Sequence, residues 1–215
     1  MFYKCLNVRF DMSLTINMIL LFLTCGVSIY AFQNSDVFSR FMFNAYEVWH
    51  RKQYYRLFSH GLIHGGWMHL IVNMLVLYSF GQIVELYYSY NAIGGKYAYL
   101  LMYVLALPLS SVVSLRKHRD NPFYNAVGAS GAVSAVVFSF IFLDPWNKLY
   151  LFFALPIPGI VFGGLYIWYS YYMSDKESDG IGHEAHLTGA IFGILFTMIA
   201  IPGSFQNFIY RLTDF

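Results

Sequence analysis

Ser130 and His186 are the two side chains from which acyl-transfer chemistry could be built in this sequence. A serine hydroxyl needs a neighbouring base to become a nucleophile, and imidazole titrates near the right pH to act as one. Attack on an amide creates a tetrahedral oxyanion, which preorganised donors must hold, each worth about 3 kcal/mol of barrier. The Ser130 backbone amide, the His69 imidazole and the Asn73 carboxamide are the candidate donors. His69 and Asn73 are spaced i and i+4, so they share one face of any helix that carries them. Small residues adjoin both members of the pair: Gly128 and Gly131 around the serine, Gly189 and Gly193 after the histidine. The latter two form a GxxxG step, which predicts close packing on the helix that carries Ser130, near Gly131.

The elements that must position these groups are membrane helices. Of 215 residues, 58% are hydrophobic and 11% charged, against about 25% charged in a soluble domain. A hydrocarbon core of about 30 Å needs about 20 helical residues. Six segments fit: Leu14–Phe32, Trp67–Tyr87, Tyr97–Ser114, Val127–Leu143, Leu149–Tyr171 and Ala185–Ile201. Their runs do not alternate as barrel strands would, so the expected fold is an all-α membrane bundle, one domain over residues 1–215 with a short tail at 1–12. Alternate spans enter from the same membrane side. His69 and Asn73 open the second span, Ser130 the fourth and His186 the sixth, so all should lie at similar depth, and ionisable groups within spans are functional by default.

The joint at residues 33–66 mixes Trp49, Tyr54, Tyr55, Leu57 and Phe58 with cations and histidines, and reads as a structure lying at the membrane interface. Small residues open the fourth span and suggest a water-accessible dip there. Aromatic residues, Tyr87, Tyr88 and Tyr90 in one group and Tyr166, Trp168, Tyr169, Tyr171 and Tyr172 in another, are expected at headgroup level. Arg116 to Asp120 reads as a solvated loop. A net charge of +2 is too small to imply nucleic acid, and Cys5 and Cys25 offer no disulfide framework. The first apolar run is longer than a signal-peptide core and reads as a retained span.

Taken in order, these motifs resemble the rhomboid intramembrane serine proteases. Arg56-Leu57-Phe58-Ser59-His60, His64 and His69-Leu70-Ile71-Val72-Asn73 are similar to the family's first-loop and second-helix signature. Gly128-Ala129-Ser130-Gly131 is similar to its GxSG motif, and Ala185-His186-Leu187-Thr188-Gly189 with Gly193 to its AHxxGxxxG motif. Gly81 and Glu85 also fit the pattern at the end of the second helix. The resemblance implies a six-transmembrane-helix bundle with an interfacial first loop, Ser130 as nucleophile, and His186 as general base and then acid. It further implies His69 and Asn73 in the oxyanion hole, no third carboxylate, and neither metal nor organic cofactor. Single-span or multi-span membrane proteins would be the substrates, in the lipid bilayer. Arg56, His60 and His64 are expected to be structural. At two positions the chain departs from the pattern: Tyr55 stands where the family often has Trp, and Ser134 where an aromatic ring often packs on the catalytic imidazole. No replacement for that ring is evident in the sequence.

Other readings stay open. His60, His64, His69, His183 and His186 could serve a membrane metalloenzyme, although His183-Glu184-Ala185-His186 lacks HExxH spacing and acidic ligands are few. A noncatalytic rhomboid-like binding or quality-control module would not need Ser130 and His186 together, and no repeat supports a transporter. The Lys and Arg count favours an outside N-terminus; the resemblance implies the reverse, with the site opening to the extracytoplasmic face of a bacterial inner or plasma membrane. Pro156, Pro158 and Gly159 interrupt the fifth span, which, with the loop Ser174 to Gly180, is expected to gate and cap the site.

Overall fold

The computed structural model describes residues 14–151, 155–174 and 182–213. The expected tail at 1–12 lies outside them. Helix α1 (Ile16–Phe32) is followed by three short helices, α2 (Ser35–Phe41), α3 (Ala45–Arg51) and α4 (Arg56–Ser59). Then come the long α5 (Trp67–Asn91), α6 (Lys96–Ser110) and α7 (Val112–Lys117), followed by α8 (Ser130–Leu143), α9 (Gly159–Ser174), α10 (His183–Ala200) and α11 (Ser204–Thr213). Three helical stretches are long and apolar enough to cross a membrane: Trp67–Asn91, Lys96–Lys117 and His183–Ala200; Ile16–Phe32 and Ser130–Leu143 are shorter apolar helices. Apolar side chains such as Ile71, Ile191 and Ile199 are exposed on the outer faces. Such faces require lipid as their solvent.

Helix α8 is apolar all round because it runs through the middle of the bundle. Every residue from Gly131 to Leu143 is buried, as expected of a helix surrounded on all sides. It packs against α5, α6 and α10. Helix α1 runs antiparallel to α5: the Glu85 carboxylate accepts from the Ile16 and Asn17 amides at 2.9 and 2.8 Å, while at the other end Phe32 meets Trp67. Two otherwise orphaned donors at a helix start are thereby satisfied by a favourable anion.

The first loop is folded in its own right. Asn34 and Asn44 cap α2 and α3 by accepting from Val37 and Glu47 amides. Buried Arg56 donates to the Ser39 and Met42 carbonyls at 2.9 and 2.7 Å and to Gln53 Oε1 at 2.7 Å. Strand β1 (Phe43–Asn44) pairs antiparallel with β2 (Asn125–Ala126), which ties this loop to the segment just before α8.

Two spans start later than expected, and one further helix was not expected. The fifth span was expected to be helical from Leu149, but β3 (Lys148–Leu151) and β4 (Leu155–Pro158) pair antiparallel and α9 starts only at Gly159. Pro156 and Pro158 lack amide protons and push their predecessors out of the α region, so a helix begun at Leu149 could not run on through them. The fourth span was expected from Val127, but α8 begins at Ser130, because Gly128 takes a φ of +116°. Helix α11, docked by an Arg211–Asp144 ion pair at 2.8 Å, lies beyond every expected span.

Candidate active site

Ser130 is the first residue of α8, so its amide is among those that a helix leaves without an intrahelical acceptor. The turn before it is clamped from outside. The Gly128 amide donates to the His60 carbonyl at 2.9 Å, and the Ala129 amide donates to His64 Nε2 at 3.4 Å. Ser28 Oγ donates to the Leu62 carbonyl at 2.8 Å and lies 3.0 Å from His64 Nδ1. With Nε2 accepting, the proton of His64 belongs on Nδ1, directed at Ser28. Burial, with His69 and His60 adding smaller contributions, pushes the His64 pKa down to about 3. Burial likewise takes His60 down to about 4. Both rings are therefore neutral at pH 7; the His64 ring clamps the turn directly, whereas the His60 ring lies 3.2 Å from Ser111 Oγ and it is the His60 backbone carbonyl that holds the turn.

His69 stands in the opening turn of α5, with its Nδ1 accepting from the Gly65 amide at 3.3 Å. Its proton consequently belongs on Nε2, which is left as a donor. A Cβ on Gly128 would come within 2.6 Å of His69 Cε1 and 2.8 Å of Nε2. Only glycine lets the imidazole lie this close to the turn before Ser130, and only glycine is at ease with that φ. Asn73, one turn along α5 and buried, donates from Nδ2 to the His69 carbonyl at 2.9 Å; its amide nitrogen has a second proton.

Helices α8 and α10 lie parallel, in contact through small residues. A Cβ on Gly189 would overlap the Gly131 carbonyl, and one on Gly193 the Ala135 carbonyl. One turn further, Thr197 Oγ1 bonds Ser139 Oγ, and Tyr88 Oη joins them at 2.9 Å from Thr197. Each step of four residues on α8 is matched by four on α10, which places the opening turn of α10 beside that of α8. The other flank of Gly131 is filled by Ser110 of α6. Glu184 accepts from Ser114 Oγ at 3.0 Å and Lys117 Nζ at 2.9 Å, pinning the start of α10 to α7.

Around His186, the His183 ring lies edge-on at 6.0 Å and the Tyr166 ring lies near-parallel, 22° apart, also at 6.0 Å. Tyr166 Oη is 2.7 Å from Ser134 Oγ. Tyr166 is thus no headgroup residue, as its place near the end of an apolar run suggested; α9 starts late, so the ring falls mid-helix and half-buried against His186. Sequence reasoning missed it because nothing local to Tyr166 marks it; the one available signal was the absence of a ring at position 134.

A cavity of about 1010 Å³ is lined by Ser130, His186, His69, Asn73, Gly128 and Gly131 together with Ser134 and Tyr166. Apolar Met68, Val72 and Val76 of α5 and Phe162 of α9 extend its lining. Gly189 and Gly193 stand behind it as the spacing of α8 and α10. Arg56 supports the first loop, His60 and His64 clamp the turn, and Glu85 lies at the far end of α5. Among the described residues no group of three His, Cys, Asp or Glu side chains could hold a metal ion. The expected cap, Ser174 to Gly180, lies outside the described residues from 175 onwards.

Residues 51–203 match the Rhomboid domain family. Over 131 residues the chain is 32% identical to the rhomboid-like protein 12, mitochondrial, of Arabidopsis thaliana, a match that covers 57% of this chain and 39% of that protein. The chain therefore spans well under half of that relative's length. The relative is named as mitochondrial, so the expectation of a bacterial inner or plasma membrane gains no support from it. Apolar helices with lipid-facing exteriors and the family match together make the protein an integral membrane protein. The chain belongs to the rhomboid family.

Proposed function

We propose that this protein is an intramembrane serine endopeptidase that cleaves transmembrane segments of single-span or multi-span membrane proteins. The observation that carries the reading is that Ser130, His186, His69 and Asn73, drawn from three helices, line one cavity. In this reading His186 removes the proton as Ser130 Oγ attacks the scissile carbonyl carbon. The oxyanion is held by the Ser130 amide, His69 Nε2–H and the remaining Asn73 amide proton, each worth about 3 kcal/mol. His186 then returns the proton to the leaving amine, and water, activated by the same imidazole, hydrolyses the acyl-enzyme. No metal or organic cofactor enters these steps.

The same reading takes α1, α5, the α6–α7 unit, α8, α9 and α10 as six spans of a single domain over residues 1–215. The N-terminus lies inside, and the site opens to the extracytoplasmic face. Helix α9 is the lateral gate: its Phe162 and the α5 residues Met68, Val72 and Val76 supply an apolar lining for an entering substrate helix. The test is to treat the purified protein with a fluorophosphonate probe and to compare it with Ser130→Ala and His186→Ala. Labelling of the parent, lost in both variants, is expected, together with cleavage of a transmembrane substrate that survives chelators. Labelling that persists in Ser130→Ala, or an unlabelled and inactive parent, overturns the proposal. The latter outcome would leave a noncatalytic membrane-protein-binding module.

A further inference from the structure

We infer that Tyr166 of α9, locked by the Ser134 hydroxyl, is the positioning residue that orients the His186 imidazole. Because that ring belongs to α9, the aim of the base depends on where α9 stands. The inference rests on the proposed hydrolytic role of His186.

A general base must present one ring nitrogen to the nucleophile, and its χ angles need something to hold them. Aromatic packing at centroid separations of 4.5–7 Å does this with about 0.5–1.5 kcal/mol beyond area burial. Tyr166 stacks on His186 within that range, at 6.0 Å and 22°. Its own placement is fixed at both ends. The hydroxyl meets Ser134 Oγ at 2.7 Å, and the ring packs on Phe138 of α8 at 5.5 Å and on Phe162 of its own helix at 5.9 Å. Ser134 lies one turn after Ser130 on the same face of α8. The chain of contacts therefore runs from the helix of the nucleophile, through the hydroxyl pair, to the ring and on to the base.

Two hydroxyls at a helix contact carry no such implication alone. Here they end on a ring that touches the one imidazole that the hydrolytic reading requires to be oriented. The close approach of α8 and α10 is made through the glycine contacts, in which no α9 residue takes part. Tyr166 therefore governs rotation of the imidazole, while the glycines govern its distance. An α9 displaced with its side chains would carry the ring away from His186, whereas the glycine contacts that space α8 from α10 contain no α9 residue.

The test combines a probe of orientation with a probe of rate. The ring current of Tyr166 acts on the His186 Hε1 proton, whose resonance is assigned in the full-length protein by His186→Asn. In Tyr166→Leu, and to a smaller extent in Tyr166→Phe and Ser134→Ala, this resonance should move. Misplacing a reacting group by about 1 Å costs on the order of 100-fold, so kcat for a transmembrane substrate should fall by about that factor in Tyr166→Leu, with KM unchanged. Tyr166→Phe and Ser134→Ala should each lose about threefold to tenfold, and the double variant should lose no more than either, because both remove the same bond. A His186 resonance that stays in place in both Tyr166→Phe and Ser134→Ala, which keep the ring and remove only its hydroxyl contact, overturns the inference, as does a loss carried by KM or additive losses in the double variant. If the resonance moves while the parent neither labels nor cleaves, the ring placement stands and the hydrolytic reading falls.

Discussion

Acidification should loosen the clamp on the turn before Ser130, and the size of the effect follows from His64. Folded, this imidazole titrates at about 3 instead of 6.5, since it is buried and a second proton on Nε2 would face the Ala129 N–H. The unfolded chain therefore binds more protons than the folded one between those values, and stability rises with pH across that window. At pH 5 an unfolded imidazole is about 97% protonated, a factor of about 30 over its neutral population, while the folded one remains neutral. At 1.36 kcal/mol per tenfold, the loss between pH 8 and pH 5 is about 2 kcal/mol for His64. The same arithmetic gives about 2 kcal/mol for His60, whose folded value is about 4. The variant to compare is His64→Gln, which keeps polar reach without titrating. Thermal unfolding in detergent micelles at both pH values should show the parent losing stability on acidification, and His64→Gln losing about 2 kcal/mol less, roughly 4–8 °C in Tm for a chain of this size. Equal pH-dependence in the parent, His64→Gln and His60→Gln would refute the assignment of both rings as neutral and of the His64 ring as the clamp.

Gly189→Ala should separate α8 from α10, because its Cβ meets the Gly131 carbonyl. A loss of about 1–3 kcal/mol of stability is expected from such overpacking, with fluorophosphonate labelling reduced further than the stability loss explains; Gly164→Ala, which meets nothing within 4 Å, is the control that should leave both unchanged. Glu85→Ala removes the acceptor for the Ile16 and Asn17 amides, and leaving such donors without a partner costs about 1–3 kcal/mol. A Tm equal to that of the parent would show that water or another group replaces the carboxylate.

Much of the site could be read along the chain because it is built from helix starts. The i, i+4 spacing of His69 and Asn73 and the GxxxG step after His186 are local patterns with one spatial meaning. Alternation of span direction then brings three opening turns to one side. The boundary differences have local causes as well: Pro156 and Pro158 are legible as interruptions, but that the segment containing them, Leu155–Pro158, pairs with Lys148–Leu151 is marked by no spacing in the sequence. In the sequence Gly128 shows only as a small residue; its positive φ, and the approach of His69 that requires it, are tertiary facts. Tyr166 was invisible for a stronger reason. Its partners, Ser134 and His186, lie 32 residues before it and on a later helix, and neither contact leaves a period or a spacing in the sequence.

The glycine contacts between α8 and α10 also act as a detent. Sliding α10 by one turn, about 5.4 Å, in one direction would bring Ala185 onto the Gly131 carbonyl. A slip the other way would set Thr197 where Gly193 now lies against Ala135. Both neighbouring registers are blocked by side chains, and intermediate ones by the helical ridges. The pair thus has a single indexed setting, and creeping adjustment of one helix along the other is closed off. Thermal agitation can fray or tilt these helices, but the axial offset between residues 130 and 186 is held at one discrete value for as long as the two helices remain in contact.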